Sequence, residues 1–375
     1  MTMIYLDNAA TTRPDSDAVR EALYYLEDGF YNPSALYKES FAVHRALEAA
    51  RKNIISQIAD PQKFTLLFTS CGSEADNQAL FSCARRGNFV TTEGEHAAIY
   101  NAASEIARRG VEVRYAKLDP YGCADEADLL QLVDENTSLV SVIHVGNETG
   151  AVNDIANIAK KVKAKNPRAY FHSDGVQAFG KIPFRLTNDI DFYSVSAHKI
   201  GGVRGAGALF RNKNKNLFPL IYGGGQEGGL RSGTENTFAI MQFAATTKKK
   251  FAALSEDLSR VGILNRRFRQ GLDEKIFTVL SGECASPYIL SVSAKGLRGE
   301  VLQHMIDDCG VVVGTGSACS SKNRYSRVIL ACGADERTAD GVLRISFSSQ
   351  TTERECEEAI RVINDCGNRL AERTK

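Results

Sequence analysis

Phe64-Thr65-Leu66-Leu67-Phe68-Thr69-Ser70-Cys71-Gly72-Ser73 is the stretch that decides the fold. A short apolar run followed by four small residues reads as a buried strand that turns sharply into a helix. Residues 73–86 carry the helical pattern. A second apolar run covers 88–92, and a second helical pattern covers 96–109. The alternation continues with strands at 111–116, 139–145, 169–172 and 191–195, and with helical stretches near 125–135 and 154–165. Such alternation predicts a mostly parallel, doubly wound α/β sheet. In that architecture functional residues gather in the loops that follow the strands.

The flanks read differently. Before the block, Phe41, Val43, Leu47, Ala50, Ile54 and Ile58 recur at near-helical spacing and predict a long helix over 39–58. After it, 241–269 reads as one helix able to connect two domains. From about residue 277 the pattern changes. Tyr288-Ile289-Leu290-Ser291-Val292-Ser293 alternates like a half-exposed strand, 300–309 and 352–370 are helical, and 342–347 is another strand. A smaller α+β domain follows from this pattern.

Composition narrows the function. The chain has 375 residues, 43% hydrophobic and 24% charged, with 46 Lys+Arg against 45 Asp+Glu. That balance excludes an electrostatic binder of nucleic acid or anionic lipid. No run approaches the roughly 18 apolar residues of a membrane span. The opening Met1-Thr2-Met3-Ile4-Tyr5-Leu6-Asp7 lacks the basic and apolar regions of a secretory signal. The nine cysteines include no CxxC pair, which argues against a zinc site. Free thiols in a reducing cytoplasm are the expectation.

Ser194-Val195-Ser196-Ala197-His198-Lys199-Ile200-Gly201-Gly202 presents a lysine on a turn between apolar segments. Desolvation there favours a free amine and imine chemistry, with pyridoxal 5'-phosphate (PLP) as the candidate carbonyl cofactor. The other parts such an enzyme needs each have a candidate. Asp174, after an apolar strand, could keep a pyridine nitrogen protonated, or cap the next helix. Gly72 and Ser73 open a helix whose amides and dipole suit a phosphate, or simply start that helix. Ser196 and His198 are further phosphate candidates. His96, at a strand-to-helix junction, could stack on the ring and shuttle protons. Asn147 and Glu148 could bond the cofactor or substrate, or build a turn. Arg344, a charge inside an apolar strand, needs a substrate carboxylate or an internal acid as partner. Cys319, in Gly314-Thr315-Gly316-Ser317-Ala318-Cys319-Ser320-Ser321-Lys322-Asn323-Arg324, sits among small, polar and basic residues, as a reactive thiolate would.

Taken in order, these motifs resemble the class V aminotransferase-like enzymes of PLP fold type I, and specifically the cysteine desulfurases of the NifS/IscS type. The resemblance spans nearly the whole chain. It rests on Tyr5-Leu6-Asp7-Asn8-Ala9-Ala10-Thr11-Thr12, Asn32-Pro33-Ser34, Glu95-His96, Asn147-Glu148-Thr149-Gly150, Ser196-Ala197-His198-Lys199, Gly223-Gly224-Gly225-Gln226-Glu227, Arg231-Ser232-Gly233-Thr234 and Gly316-Ser317-Ala318-Cys319. It implies a large PLP-binding domain over 13–255 and a small domain of 1–12 with 256–375.

It also implies residue roles. Lys199 would carry the cofactor imine, Asp174 would face the pyridine nitrogen and Gln177 the phenolic oxygen. Ser73, Ser196 and His198 would hold the phosphate, joined across a homodimer by Thr234 of the partner subunit. His96 would stack on the ring. Asn32, Asn147 and Arg344 would bind the carboxylate side of L-cysteine. Cys319 would take the sulfur as a persulfide for an acceptor protein, either an iron–sulfur scaffold or a tRNA-thiolation enzyme.

Departures from the family pattern are Tyr37 for a usual histidine, Gly146 for asparagine, Cys71 for glycine, Ser73 for threonine, Gly175-Val176 for Ala-Ala, and Gly201-Gly202-Val203 for Tyr-Gly-Pro. None removes a named catalytic group. A lyase acting on selenocysteine or cysteine sulfinate is the second reading, separable by its indifference to Cys319. A non-catalytic scaffold is the third.

Overall fold

The computed structural model describes residues 3–316 and 324–374. The strands are β1 (Ile4–Leu6), β2 (Phe64–Thr69), β3 (Asn88–Thr92), β4 (Glu112–Ala116), β5 (Thr137–Ser141), β6 (Tyr170–Asp174), β7 (Phe192–Ser196), β8 (Gly207–Asn212), β9 (Phe277–Val279), β10 (Ile289–Ala294), β11 (Val311–Thr315) and β12 (Val342–Ser346). Seven form one sheet in the order β2-β8-β7-β6-β5-β3-β4. Only β8 runs against its neighbours. The period-two alternation of the strands covers both faces. Leu66, Phe68, Val90, Val140, Phe171 and Tyr193 enter one core. Leu67, Phe89, Leu139, Phe192 and Leu209 enter the core on the other side. The mostly parallel α/β sheet expected from the sequence is present.

The remaining five strands form a second sheet, β1-β11-β12-β10-β9, over its own core. β1 pairs parallel with β11, in the register Ile4 to Val311.

Three sequence expectations change. The stretch 241–269 is two helices, Thr237–Ala252 and Leu254–Gly271, broken at Ala253 (φ −101, ψ 5), where no glycine or proline marks the break. The strand expected over 139–145 ends at Ser141, because the Glu95 carboxylate takes the Ile143 N–H that a neighbouring strand would otherwise receive (2.9 Å). Residues 288–293 are not half-exposed. β10 lies between β12 and β9 and is buried throughout. Ser293 Oγ donates to Thr338 O at 2.7 Å, whereas the buried Ser291 Oγ has no hydrogen-bond partner among the described residues.

Candidate active site

A cavity of about 330 Å³ opens where the parallel strands end. Gly72 and Ser73 reach it from the turn after β2, and His96 from the turn after β3. Asn147 enters beyond β5, Asp174 and Gln177 at the end of β6, and Ser196, His198 and Lys199 at the end of β7. Arg344 enters from β12 of the second sheet. Ten of the residues singled out in the sequence therefore share one cavity.

Lys199 closes the short 3₁₀ turn Ala197–Lys199. Its Nζ donates to the carbonyls of Ala9 (2.6 Å) and Ala10 (2.8 Å). The segment after β1 thus forms part of the lysine's surroundings. Thr12 Oγ1 and N–H both bond His198 O, at 2.8 and 2.9 Å, and hold that segment on the turn.

One end of the cavity suits an anion. The helix Gly72–Cys83 begins there with no side-chain cap, so its first amides are available. Ser196 Oγ is buried without a hydrogen-bond partner among the described residues. His198 Nδ1 bonds Thr11 Oγ1 at 3.0 Å, leaving Nε2 for a ligand. Burial and the nearby Lys199, Lys181 and Arg204 push the His198 pKa down to about 4. The loop lies hard against β8. A Cβ on Gly207 would sit 2.5 Å from the Cys71 carbonyl carbon, so only glycine lets the strand pass there.

Acids line another part of the cavity. Asp174 Oδ1 accepts from Val176 N at 2.9 Å. The chain then continues in turns rather than the helix that Asp174 was offered as capping. Burial raises the Asp174 pKa, while His96 and Lys199 pull it back. Asp76, one turn into the helix Gly72–Cys83, lines the same cavity. It is 1% exposed and its Oδ1 lacks a hydrogen-bond partner among the described residues. Burial, then the charge of Asp174, hold its carboxyl well above the usual range. Sequence reasoning passed over Asp76. The available signal was an acid on the helix face that also carries Ala75, Ala79 and Leu80, all buried.

His96 caps a helix and faces the cavity at once. Its Nδ1 accepts from Ala98 N at 3.2 Å and caps the helix Ala97–Arg108, while the ring lines the cavity. Nδ1 is therefore the acceptor and Nε2 carries the proton of the neutral ring. Burial lowers its pKa against the opposing pull of Asp174. Arg344, only 5% exposed, has the internal acid partner left open by the sequence: Nη2 meets Asp7 Oδ1 at 2.8 Å. Nη1 donates to Asn147 O at 3.0 Å. Each Nη carries a second N–H, so donors remain for a ligand carboxylate beside these bonds.

Two sequence candidates stay outside the cavity. Asn32 is exposed, its Oδ1 accepting from Ser34 N at 2.9 Å. Thr234 is exposed as well. Cys319 lies outside the described residues, within 317–323. Gly316, just before that segment, and Ser326, just after it, line an adjoining cavity of about 150 Å³ with His96, Asn147, Glu148 and Arg327.

The family model "Aminotransferase class-V" matches residues 4–358. A cysteine desulfurase of Nostoc sp. is 33% identical over 99% of this chain and 94% of its own length. The cysteine desulfurase IscS of Clostridium botulinum (strain Hall) is 34% identical over 96% of this chain and 93% of its own. A solved NifS-like protein superposes with a TM-score of 0.92 at 32% identity, covering 98% of this chain and all of that one.

Proposed function

The chain belongs to the class V aminotransferase family and stands among its cysteine desulfurases, and from that premise we propose how its residues carry the reaction. The cavity is read as a PLP site that takes L-cysteine. One observation carries this reading. A lysine amine, a buried acid, an uncapped helix N-terminus and the orphaned Ser196 hydroxyl converge on 330 Å³. These are the groups an aldehyde, a pyridine nitrogen and a phosphate require, so the residues fit the cofactor.

In this reading the amides of Gly72 and Ser73 hold the phosphate with the side chains of Ser73, Ser196 and His198. Thr234 of the partner subunit joins them across a homodimer, which accounts for its exposure in the single chain. Asp174 pairs with the pyridine nitrogen, and that new cation lowers the carboxyl pKa again. His96 stacks on the ring, and Gln177 bonds the phenolic oxygen. When bound, PLP supplies an electron sink for the charge left as the substrate Cα loses its proton.

Lys199 would hold the cofactor through its amine and, once freed by substrate, would carry the Cα proton. Asn32, Asn147 and Arg344 orient the substrate carboxylate. The Cys319 thiolate attacks the substrate sulfur. The S–S bond forms as the C–S bond breaks, and the carbon takes a proton, leaving L-alanine and a persulfide on Cys319. Atoms and electrons balance without an external oxidant. Cys319 passes its outer sulfur to an acceptor protein, an iron–sulfur scaffold or a tRNA-thiolation enzyme. We also divide the chain at 13–255 and at 1–12 with 256–375, in keeping with the two sheets and their separate cores. We place its work in the cytoplasm. No helix among the described residues is long and apolar enough to cross a membrane.

A single turnover with L-cysteine tests this. Wild-type protein should be yellow, form alanine and gain one sulfur on Cys319, measured by mass after alkylation. Cys319→Ala should lose both products while keeping its colour. Alanine from selenocysteine or cysteine sulfinate in both proteins, with negligible turnover of cysteine, would overturn the assignment of Cys319.

A further inference from the structure

Lys181 has no part in the reaction as described, yet it is 5% exposed and lies one turn beyond Gln177. Its Nζ donates to Gln177 Oε1 at 2.7 Å. The charged groups acting on it are Lys199, Lys250 and Arg344, all cations, and the Tyr288 ring lies 5.9 Å away. No ion pair joins it to a carboxylate among the described residues. A lysine buried in such company costs stability, so its presence calls for a role at the site.

The hydrogen bonds of Gln177 supply one. Its Nε2 donates to Ala9 O at 2.8 Å. A carbonyl oxygen only accepts, so the amide nitrogen must face Ala9 and the amide oxygen must face Lys181. Lys181 can donate to that oxygen whether or not it is protonated. Two partners of opposite kind thus fix the flip of the amide. The second Nε2 hydrogen remains for the cavity, which Gln177 lines with Asp174 and Lys199.

We propose that Lys181 is a positioning residue: it locks the Gln177 amide so that an N–H faces the phenolate oxygen of the bound cofactor, and thereby sets the protonation midpoint of the Lys199 imine. The inference rests on the PLP reading above. A donor at the phenolate stabilises that oxygen most when the imine nitrogen has lost its proton, so it lowers the midpoint. A hydrogen bond to the amide oxygen also strengthens the amide as a donor. The other titratable groups facing Lys199 are Asp174, His96 and His198.

The test is a pH titration of the visible absorbance of the PLP-loaded protein, in wild type, K181M, Q177L and the double variant. K181M and Q177L should each raise the midpoint by about one pH unit, and the double variant no further than either alone. K181R, which keeps a donor, should stay within about 0.3 unit of wild type. An unmoved midpoint in K181M would sink the proposal. So would full addition of the two shifts in the double variant, because the charge would then act through space and not through Gln177. A K181R midpoint as high as that of K181M would also overturn it. Wild-type protein with no imine band would instead remove the PLP reading, and this inference with it.

Discussion

Glu95 precedes the ring-bearing His96 and is 1% exposed. Its Oε1 accepts from Ile143 N at 2.9 Å and from Thr92 Oγ1 at 2.8 Å, and Oε2 has no partner among the described residues. Burial outweighs these donors and pushes its pKa from 4.5 up to about 8. The folded pKa lies above the unfolded one, so the stability it contributes is complete below about pH 4.5 and drains away as pH rises toward 8. Glu95→Gln mimics the protonated acid and keeps both accepted bonds. Its advantage in urea unfolding should grow with pH across that window, by at most about 1.4 kcal/mol per pH unit. A pH-independent difference would show that Glu95 is already ionised in the fold. At this scale Lys199, Asp174 and His96 were legible, because each follows a strand and stands out chemically from its neighbours. Asp76 and Lys181 were not. Their surroundings come from partners that only the fold brings near.

At the scale of elements, one departure from the family pattern finds its cause. Gly175 follows β6, where the resemblance described above leads one to expect alanine. A Cβ there would lie 1.8 Å from Tyr193 Cζ and 2.1 Å from its hydroxyl, on the neighbouring strand β7. Tyr193 is fully buried, and its hydroxyl bonds His144 Nδ1 at 2.8 Å. The glycine therefore makes room for the tyrosine. Gly175→Ala should destabilise the protein by about 1–3 kcal/mol through overpacking. In a Tyr193→Ala background the same change should cost close to nothing, as denaturant unfolding of the four proteins would reveal. The sequence shows both residues but not their contact, which depends on the β6–β7 register, Asp174 beside Ser194. The break at Ala253 was hidden for another reason. Alanine favours the helix on either side, so local preference carried no mark of the bend.

Across the whole molecule, the site is closed by a segment foreign to the large sheet. Residues 4–6 pair with β11 of the small sheet, Asn8 Nδ2 donates to Ser346 O at 2.9 Å, and Ala9 and Ala10 then hold Lys199. Both cores beneath the large sheet lack any residue of this segment, whereas the small sheet's core includes Leu6 and Ala9. On the PLP reading proposed above, deleting residues 1–12 should therefore abolish the absorbance band of the Lys199 imine while leaving a cooperative unfolding transition, at a lower denaturant midpoint. Retention of the band would mean that the two carbonyls are dispensable.

The same strand pairing sets a clock on biosynthesis. Ile4 leaves the ribosome about 300 residues before its partner Val311, which at 5–20 residues per second is a wait of roughly 15–60 s. During that interval the large sheet can form, but the carbonyls that flank Lys199 have no strand to anchor them. The lysine pocket is thus among the last parts of the nascent chain to mature, and any ligand that needs it must wait until translation is nearly over.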